Sequence, residues 1–561
     1  MSGIFRQFAI RLKQQIERHL AWWVLGVLVL LSFSVPMIVP VYFREDDVVY
    51  LDWARTHSWV EGLRSSQAVL FGMFRPVQNL TWWGLYHFAG LNPYPYQVVI
   101  LFTYLAAMAA FFAFIRTTLS VRTAWTSIAV YGVAFYFLMY IVFWFSDFTY
   151  TLELMFAHGA LWLFALAVKH NTRRHLTGAV ILFCVAVAAK EPAALIVPLV
   201  CFQVLAVHWT RLGRPSRIRL GVTAGLMLVA GLAWIVANAS VASRQGIPWA
   251  QGAESVSVFI RQRWSFYAAI LTAFPTILVW VAILFPLVHR VVARFLPHAL
   301  SAMVLSMGVS VVMTGLLKMT PDVALLVLLG AFAVLIVWRH PAGIGALWAA
   351  PAILGIMTLD YTVRTYLVEA SFGLALAGGA AISLLLDLVV PRLALRPGRQ
   401  LRRNLVIVAS GGLVLAIGMA PLLLGKWRAL QALSANRQNF AGAISYLAHP
   451  GAGVPAPLLI VDYNDMGLVY ERDILPLGDG EKALRQKTMT SLSLQAFLPA
   501  SSMPVHNLEW WGAHPEIREA SLLTMNVREE AFLDGQPLQK SILREWAHGG
   551  ARARLYRIIR P

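Results

Sequence analysis

Charge is scarce in this sequence: only 13% of its 561 residues are Asp, Glu, Lys or Arg. A soluble protein keeps roughly a quarter of its residues charged, because it needs a wet surface. With 59% of the residues hydrophobic, the shortage excludes an ordinary soluble fold and assigns most of the surface to lipid. Acids are scarcer still, 27 against 46 basic residues, for a net charge of +19. That balance would suit nucleic acid if it formed one patch. Instead the basic residues stand in short clusters between apolar runs, where the cytosolic loops of a membrane protein carry them. No nucleic-acid partner is expected. Cysteine is nearly absent. Cys184 and Cys201 both fall inside apolar runs, which excludes a disulfide framework and predicts two packed small side chains. No His/Cys cluster has metal-ligand spacing, so no tightly bound zinc is expected. A loosely held divalent cation on carboxylates stays open, and no other cofactor is indicated. Internal repeats and low-complexity stretches are also missing.

What is present is a series of thirteen apolar runs. The first, 21–42, is long enough to cross a hydrocarbon core of roughly 30 Å and lacks a small-residue cleavage site, so it reads as a retained span. Others follow at about 96–115, 123–145, 150–168, 176–189, 192–208, 219–238, 266–288, 299–317, 322–338, 342–359, 365–387 and 404–424. Ahead of them, Ile4, Phe8, Leu12 and Ile16 recur every four residues among Arg6, Arg11, Lys13 and Arg18. Residues 1–20 are therefore expected to form an amphipathic helix on the cytosolic interface. Lys and Arg concentrate in alternate connections, which places the N-terminus in the cytosol. An odd number of spans then puts residues 425–561 outside. There charge of both signs becomes dense. Leu458-Leu459-Ile460-Val461 running into Asp462-Tyr463-Asn464-Asp465 reads as a buried strand and turn, while 481–497 and 515–533 carry weak helical patterns. The expected fold is mostly α: a polytopic bundle over 21–424 with a small α/β outer domain over 425–561.

Chemistry gathers on the outer side. The connection 43–95 is too long for a structureless loop, and its mix of Trp, Tyr, Leu and charge predicts short interfacial helices. It opens with Glu45, Asp46 and Asp47 directly after the first span. Crowded carboxylates at a membrane interface can furnish a base for a hydroxyl proton; a solvated acidic cap is the bland alternative. Further on, Arg75 stands in apolar surroundings before Pro76, and its planar guanidinium suits a phosphate. Snorkelling or pairing with Asp46 would explain it structurally. Three more charged groups share that face: Lys190-Glu191-Pro192 at an outer turn; Asp147, Glu153 and His158 after the third span; and Asp360 to Tyr366 with Glu369 in the span that follows. An ion pair orienting helices accounts for any one of them. Together they set cations and carboxylates around one end of the bundle.

On these residues the chain resembles the GT-C superfamily of membrane glycosyltransferases. Asp46-Asp47 is similar to that family's first-loop acidic pair. Phe74-Arg75-Pro76 is similar to the Phe-Arg-Pro of its bacterial members and of the eukaryotic transmembrane O-mannosyltransferases with TPR tails. Lys190-Glu191 looks like its Lys-Glu turn, and Arg364-Thr365-Tyr366-Leu367 with Ser371-Phe372-Gly373 looks like a degraded Arg-Tyr-Leu-Tyr-x-x-Ser-x-Gly segment. Thr365 and Val368-Glu369-Ala370 depart from the pattern. Thirteen spans followed by an outer domain also resemble the lipid A aminoarabinose transferases. The resemblance covers about 20–425 in layout; residues 425–561 resemble no family.

The resemblance implies a multi-pass protein of a bacterial inner membrane and an inverting sugar transfer. The donor would be a polyprenyl-phosphate sugar, reached through membrane lipid, and the acceptor a cell-envelope glycan, lipid or protein. Asp46 or Asp47 would be the base. Arg75, Lys190 and Arg364 would hold the leaving phosphate, with Glu45, Asp147, Glu153, His158, Glu191 and Tyr366 in support. The outer segment 239–264, with Arg244, Arg261 and Arg263, would gate lipid entry. A lipid-linked glycan polymerase or ligase is the nearer alternative. A secondary transporter is the more distant one, since it would carry ionisable groups at mid-span and repeated halves.

Overall fold

The computed structural model describes residues 46–64, 74–90, 92–134, 148–244, 264, 268, 271, 276–296, 298–319, 321–356 and 367–389, and, further on, 438–439, 442–443, 445–447, 454–460, 505–507, 511, 514–524, 538–548 and 551–560. The apolar runs expected at 21–42 and 404–424 and the N-terminal amphipathic helix lie outside them. The chain divides into two compact units, one of Met1–Ser34, Phe102–Ile141 and Thr149–Pro421, the other of Val35–Leu101, Val142–Phe148 and Leu422–Pro561.

The second unit begins with the long connection, which is helical as expected. Its helices are α1 (Asp46–Thr56), α2 (Trp59–Arg64) and α3 (Pro76–Ala89), followed by the first turns of α4 (Pro93–Thr118). A capping box starts α2. The Ser58 backbone N–H donates to Glu61 at 2.6 Å and its hydroxyl does so at 2.8 Å. The Glu61 N–H donates back to Ser58 Oγ, a reciprocal arrangement that satisfies donors the helix leaves open. These bonds hold the Glu61 carboxyl below the usual carboxylate range. Pro76 opens α3 rather than closing a helix, because the first helical position needs no N–H and welcomes the proline φ.

Among its described residues this unit also carries a mixed sheet of β1 (Leu458–Ile460), β2 (Val505–Asn507), β3 (Glu519–Thr524), β4 (Gln539–His548) and β5 (Ala551–Ile559), in the order β2-β1-β3-β5-β4. Strand β1 runs parallel to β2 and β3, whereas β3, β5 and β4 are antiparallel neighbours. Leu459, Ala520, Leu522, Tyr556, Ile558 and Trp511 form its core. The strand expected at Leu458 is there. The helical pattern expected across 515–533 is overturned at 519–524, which form β3. This buried run is too short for periodicity to separate strand from helix, and pairing on both sides decides it. The outer edge strand β4 is bulged between Ile542 and Arg544 and studded with Lys540, Arg544 and Glu545, devices that discourage edge-to-edge pairing.

The first unit is helical among its described residues. It holds the remainder of α4, then α5 (Val121–Ala134), α6 (Phe148–His170, from Thr149), α7 (Arg173–Ala189), α8 (Ala193–Val207), α9 (Arg214–Arg244), α10 (Ile277–Phe295), α11 (Ala299–Met319), α12 (Pro321–Val337), α13 (Ala342–Ile356) and α14 (Leu367–Val389). Where their residues are described, the apolar runs from 96–115 to 365–387 are helical. Among the described residues four stretches, Pro93–Thr118, Phe148–His170, Arg214–Asn238 and Leu367–Leu385, are long and apolar enough to cross a membrane by length and composition. The chain is a mostly helical membrane protein with a small sheet. Helix α9 continues to Arg244, into the segment expected to be loop.

Two of the connections between helices follow helix-end chemistry. Asn171 takes φ 55° after α6, a left-handed cap that Asn tolerates. After α12, Arg339 takes φ 52°; its N–H donates to Ile336 O, and the His340 N–H donates to Leu335 O. That pair of bonds is a Schellman motif. Small residues let helices touch. At Gly345 an added Cβ would strike Gly373 and Ala377, and at Gly231 it would strike the Ala194 carbonyl. Close backbone approach of this kind takes over where lipid supplies no hydrophobic drive between helices. Cys201 is packed as expected, but Cys184 is exposed: an apolar helix surface facing lipid has no need to bury it.

Candidate functional site

Each unit contributes one cluster of candidate residues. In the second unit, α1 lies against α3. The Tyr50 and Trp82 rings stack, with centroids 5.1 Å apart and an interplanar angle of 9°. Trp82, fully buried, also meets Tyr96 at 5.5 Å and Phe148 edge-on at 5.6 Å. The Tyr96 hydroxyl donates to Gly90 O at 3.0 Å, and Asn79 Nδ2 donates to Gly62 O at 3.4 Å, joining α3 to α2. Asp47 stands one turn before Tyr50, is 0% exposed, and lies within electrostatic reach of Tyr96. It is therefore no solvated cap. Asp46 is the first residue of α1. Arg75 is half-buried and immediately precedes α3. Its backbone carbonyl accepts the Asn79 N–H at 3.0 Å, so the guanidinium stems from the positive end of a helix whose first turn has no acid.

In the first unit, Glu153 and His158 lie on α6, Lys190 ends α7, and Glu369 is the third residue of α14. All four are buried. Lys190 Nζ sits 2.9 Å from the centroid of the Tyr150 ring, a cation–π contact withdrawn from water. The Lys190 ammonium acts electrostatically on both Glu153 and Glu369, which interact with each other, and half-buried Glu191 acts on Glu153. His158 Nδ1 is 2.8 Å from Ala107 O, so it carries the proton and donates. The imidazole is boxed by Phe372 at 4.7 Å, Trp348 at 5.1 Å and Phe111 at 5.2 Å.

Of the residues picked from the sequence, Asp46, Asp47 and Arg75 fall in one unit, and Glu153, His158, Lys190 and Glu191 in the other. Glu45, Asp147, Arg364, Tyr366, Arg261 and Arg263 lie outside the described residues. Tyr50, Trp82 and Tyr96, whose rings join α1 to α3 and to the start of α4, were not picked. The three-residue step from Asp47 to Tyr50, one helical turn, was the available signal. Among the described residues no group of three or more His, Cys, Asp or Glu could hold a metal ion.

No protein-family model matches the chain, and no curated protein does. Among solved structures it is similar to the archaeal oligosaccharyltransferase AglB from Archaeoglobus fulgidus, solved with an inhibitory peptide and a dolichol-phosphate. The identity is 10%, the match covers 96% of this chain and 74% of that one, and the TM-score is 0.44. The functional reading rests on the chain's own residues.

Proposed function

We propose that this protein is a membrane glycosyltransferase that moves a sugar from a polyprenyl-phosphate donor to a cell-envelope acceptor on the outer face of the membrane. The observation that carries the reading is Asp47: a carboxylate fully shut from water, on a helix that packs through Tyr50 and Trp82 onto the helix that Arg75 precedes. Side chains fixed by such packing are pre-organised for reaction. In the proposed inverting transfer, the acceptor hydroxyl gives its proton to Asp46 or Asp47 and its oxygen attacks the anomeric carbon. The bond from that carbon to the phosphate oxygen breaks, and polyprenyl phosphate leaves with the electron pair. Arg75, Lys190 and Arg364 are the candidate cations for that phosphate, where charge grows most in the transition state.

The test is sugar transfer by the purified chain in liposomes supplied with polyprenyl-phosphate sugars of defined head group. Asp46→Asn and Asp47→Asn are compared with the native chain. One of the two should lose transfer by about 10²- to 10⁴-fold, the usual weight of a general base, while still folding. Full activity in both defeats the assignment. Arg75→Ala should raise the donor KM, and an unchanged donor dependence returns Arg75 to a structural role.

A further inference from the structure

Glu369 interrupts the motif that its segment otherwise resembles, and the proposed chemistry gives it no part. The structure places it 3% exposed at the start of α14, beside Glu153 of α6, which is 0% exposed. Both oxygens of Glu153 and Oε1 of Glu369 lack a hydrogen-bond partner among the described residues. The two carboxyls act on each other, Glu369 also meets Trp348, and the cation that the pair shares between the helices is Lys190. That ammonium acts on both and rests on the Tyr150 face. A lysine at a helix end ordinarily swings its head toward water. Here three helix ends, far apart in sequence, close around it.

We propose that Glu369, together with Glu153, is a positioning residue for Lys190, the two carboxyls holding its ammonium against the Tyr150 ring so that it presents one fixed charge. The inference rests on the reading of Lys190 as a cation for the donor phosphate. It deepens that reading by explaining how a flexible side chain becomes pre-organised. Other titratable groups around the cluster are Glu191, Tyr131 and His158, and none of them replaces Glu369: Glu191 is only half-buried, Tyr131 acts through its hydroxyl toward Ser371, and His158 is engaged with Ala107 O.

The experiment uses the full chain, expressed with lysine labelled with ¹³C at Cε and purified in detergent. The Lys190 resonance is assigned by its loss in Lys190→Gln. Glu369→Gln should move that resonance and lower its titration midpoint by about one pH unit or more, since an opposite charge at short range favours the ammonium. Glu369→Asp should keep most of the native position. In the transfer assay, Glu369→Gln should raise the donor KM more than it lowers kcat. A Lys190 resonance unmoved in both Glu369→Gln and Glu153→Gln overturns the proposal. Should Glu369→Gln fail to fold, Glu153→Gln alone decides it by the same resonance. If the resonance moves but Lys190→Gln leaves donor KM unchanged, the donor role of Lys190 fails while its fixation by the carboxyls stands.

Discussion

Trp82 carries more of the candidate site than any charged residue. Its ring touches α1 through Tyr50, the start of α4 through Tyr96, and Phe148. Trp82→Ala should cost about 3–5 kcal/mol, as truncating a buried aromatic does, and Trp82→Phe markedly less, both read by thermal unfolding in detergent. Two histidines outside the spans should make stability depend on pH. Burial lowers the pKa of His208, which donates to Thr118 O at 3.0 Å, below its usual 6.5. Burial, and then Arg290, do the same to His340, which accepts the Ala342 N–H at 3.1 Å. A folded pKa below the unfolded one means that the unfolded chain binds protons first. Stability is therefore complete above 6.5 and lost as pH falls from there through the folded values. The midpoint of unfolding should drop as the pH is lowered across that window, and His208→Gln with His340→Gln should flatten the slope.

At the scale of elements, the joints between helices are where single methyl groups matter. Gly345 and Gly373 face each other across α13 and α14, and Gly231 meets the Ala194 backbone across α8 and α9. Gly345→Val or Gly231→Val should destabilise by about 1–3 kcal/mol through overpacking. Gly225→Ala on α9, where nothing lies within 4 Å, should be neutral or mildly stabilising; equal effects at all three sites would refute the joint assignment. The helices themselves were legible, because spans this apolar leave few alternatives, and the short helices of 43–95 were legible from their aromatic-and-charge mix. Strand β3 was not, since Glu519–Thr524 takes its identity from β1 and β5 on either side rather than from its own pattern. Asp47 and Arg75 could be picked because charge is conspicuous in apolar sequence. The ring contacts that join α1 to α3 were hidden among many aromatics, and the meeting of Glu153, Lys190 and Glu369 depends on packing that no local spacing encodes.

For the whole molecule, the charge pattern makes a statement about sidedness that the helices alone do not. Basic residues crowd the connections at 116–122, 169–175 and 209–218; Arg217 lies 5.0 Å over the Trp209 ring, and Arg219, just beyond on α9, donates to Asn171. Moving such a basic cluster to the outer side opposes the rule that orients membrane proteins. With Cys184 and Cys201 first replaced by Ala, single cysteines at Arg173 and Arg214 should resist a membrane-impermeant thiol reagent in intact cells and react after permeabilisation. Cysteines at exposed Trp59 and at Ser541 on β4 should react from outside in intact cells. Sidedness matters to the chemistry because the acids of α1 must meet the face on which the acceptor waits. If position 173 labels before permeabilisation and position 541 only after it, the protein is inverted, and Asp46 and Asp47 would work on cytosolic substrates instead. If 59 and 541 label on opposite sides, the number of spans between them is odd rather than even, and the membership of 425–561 in the outer face falls with it.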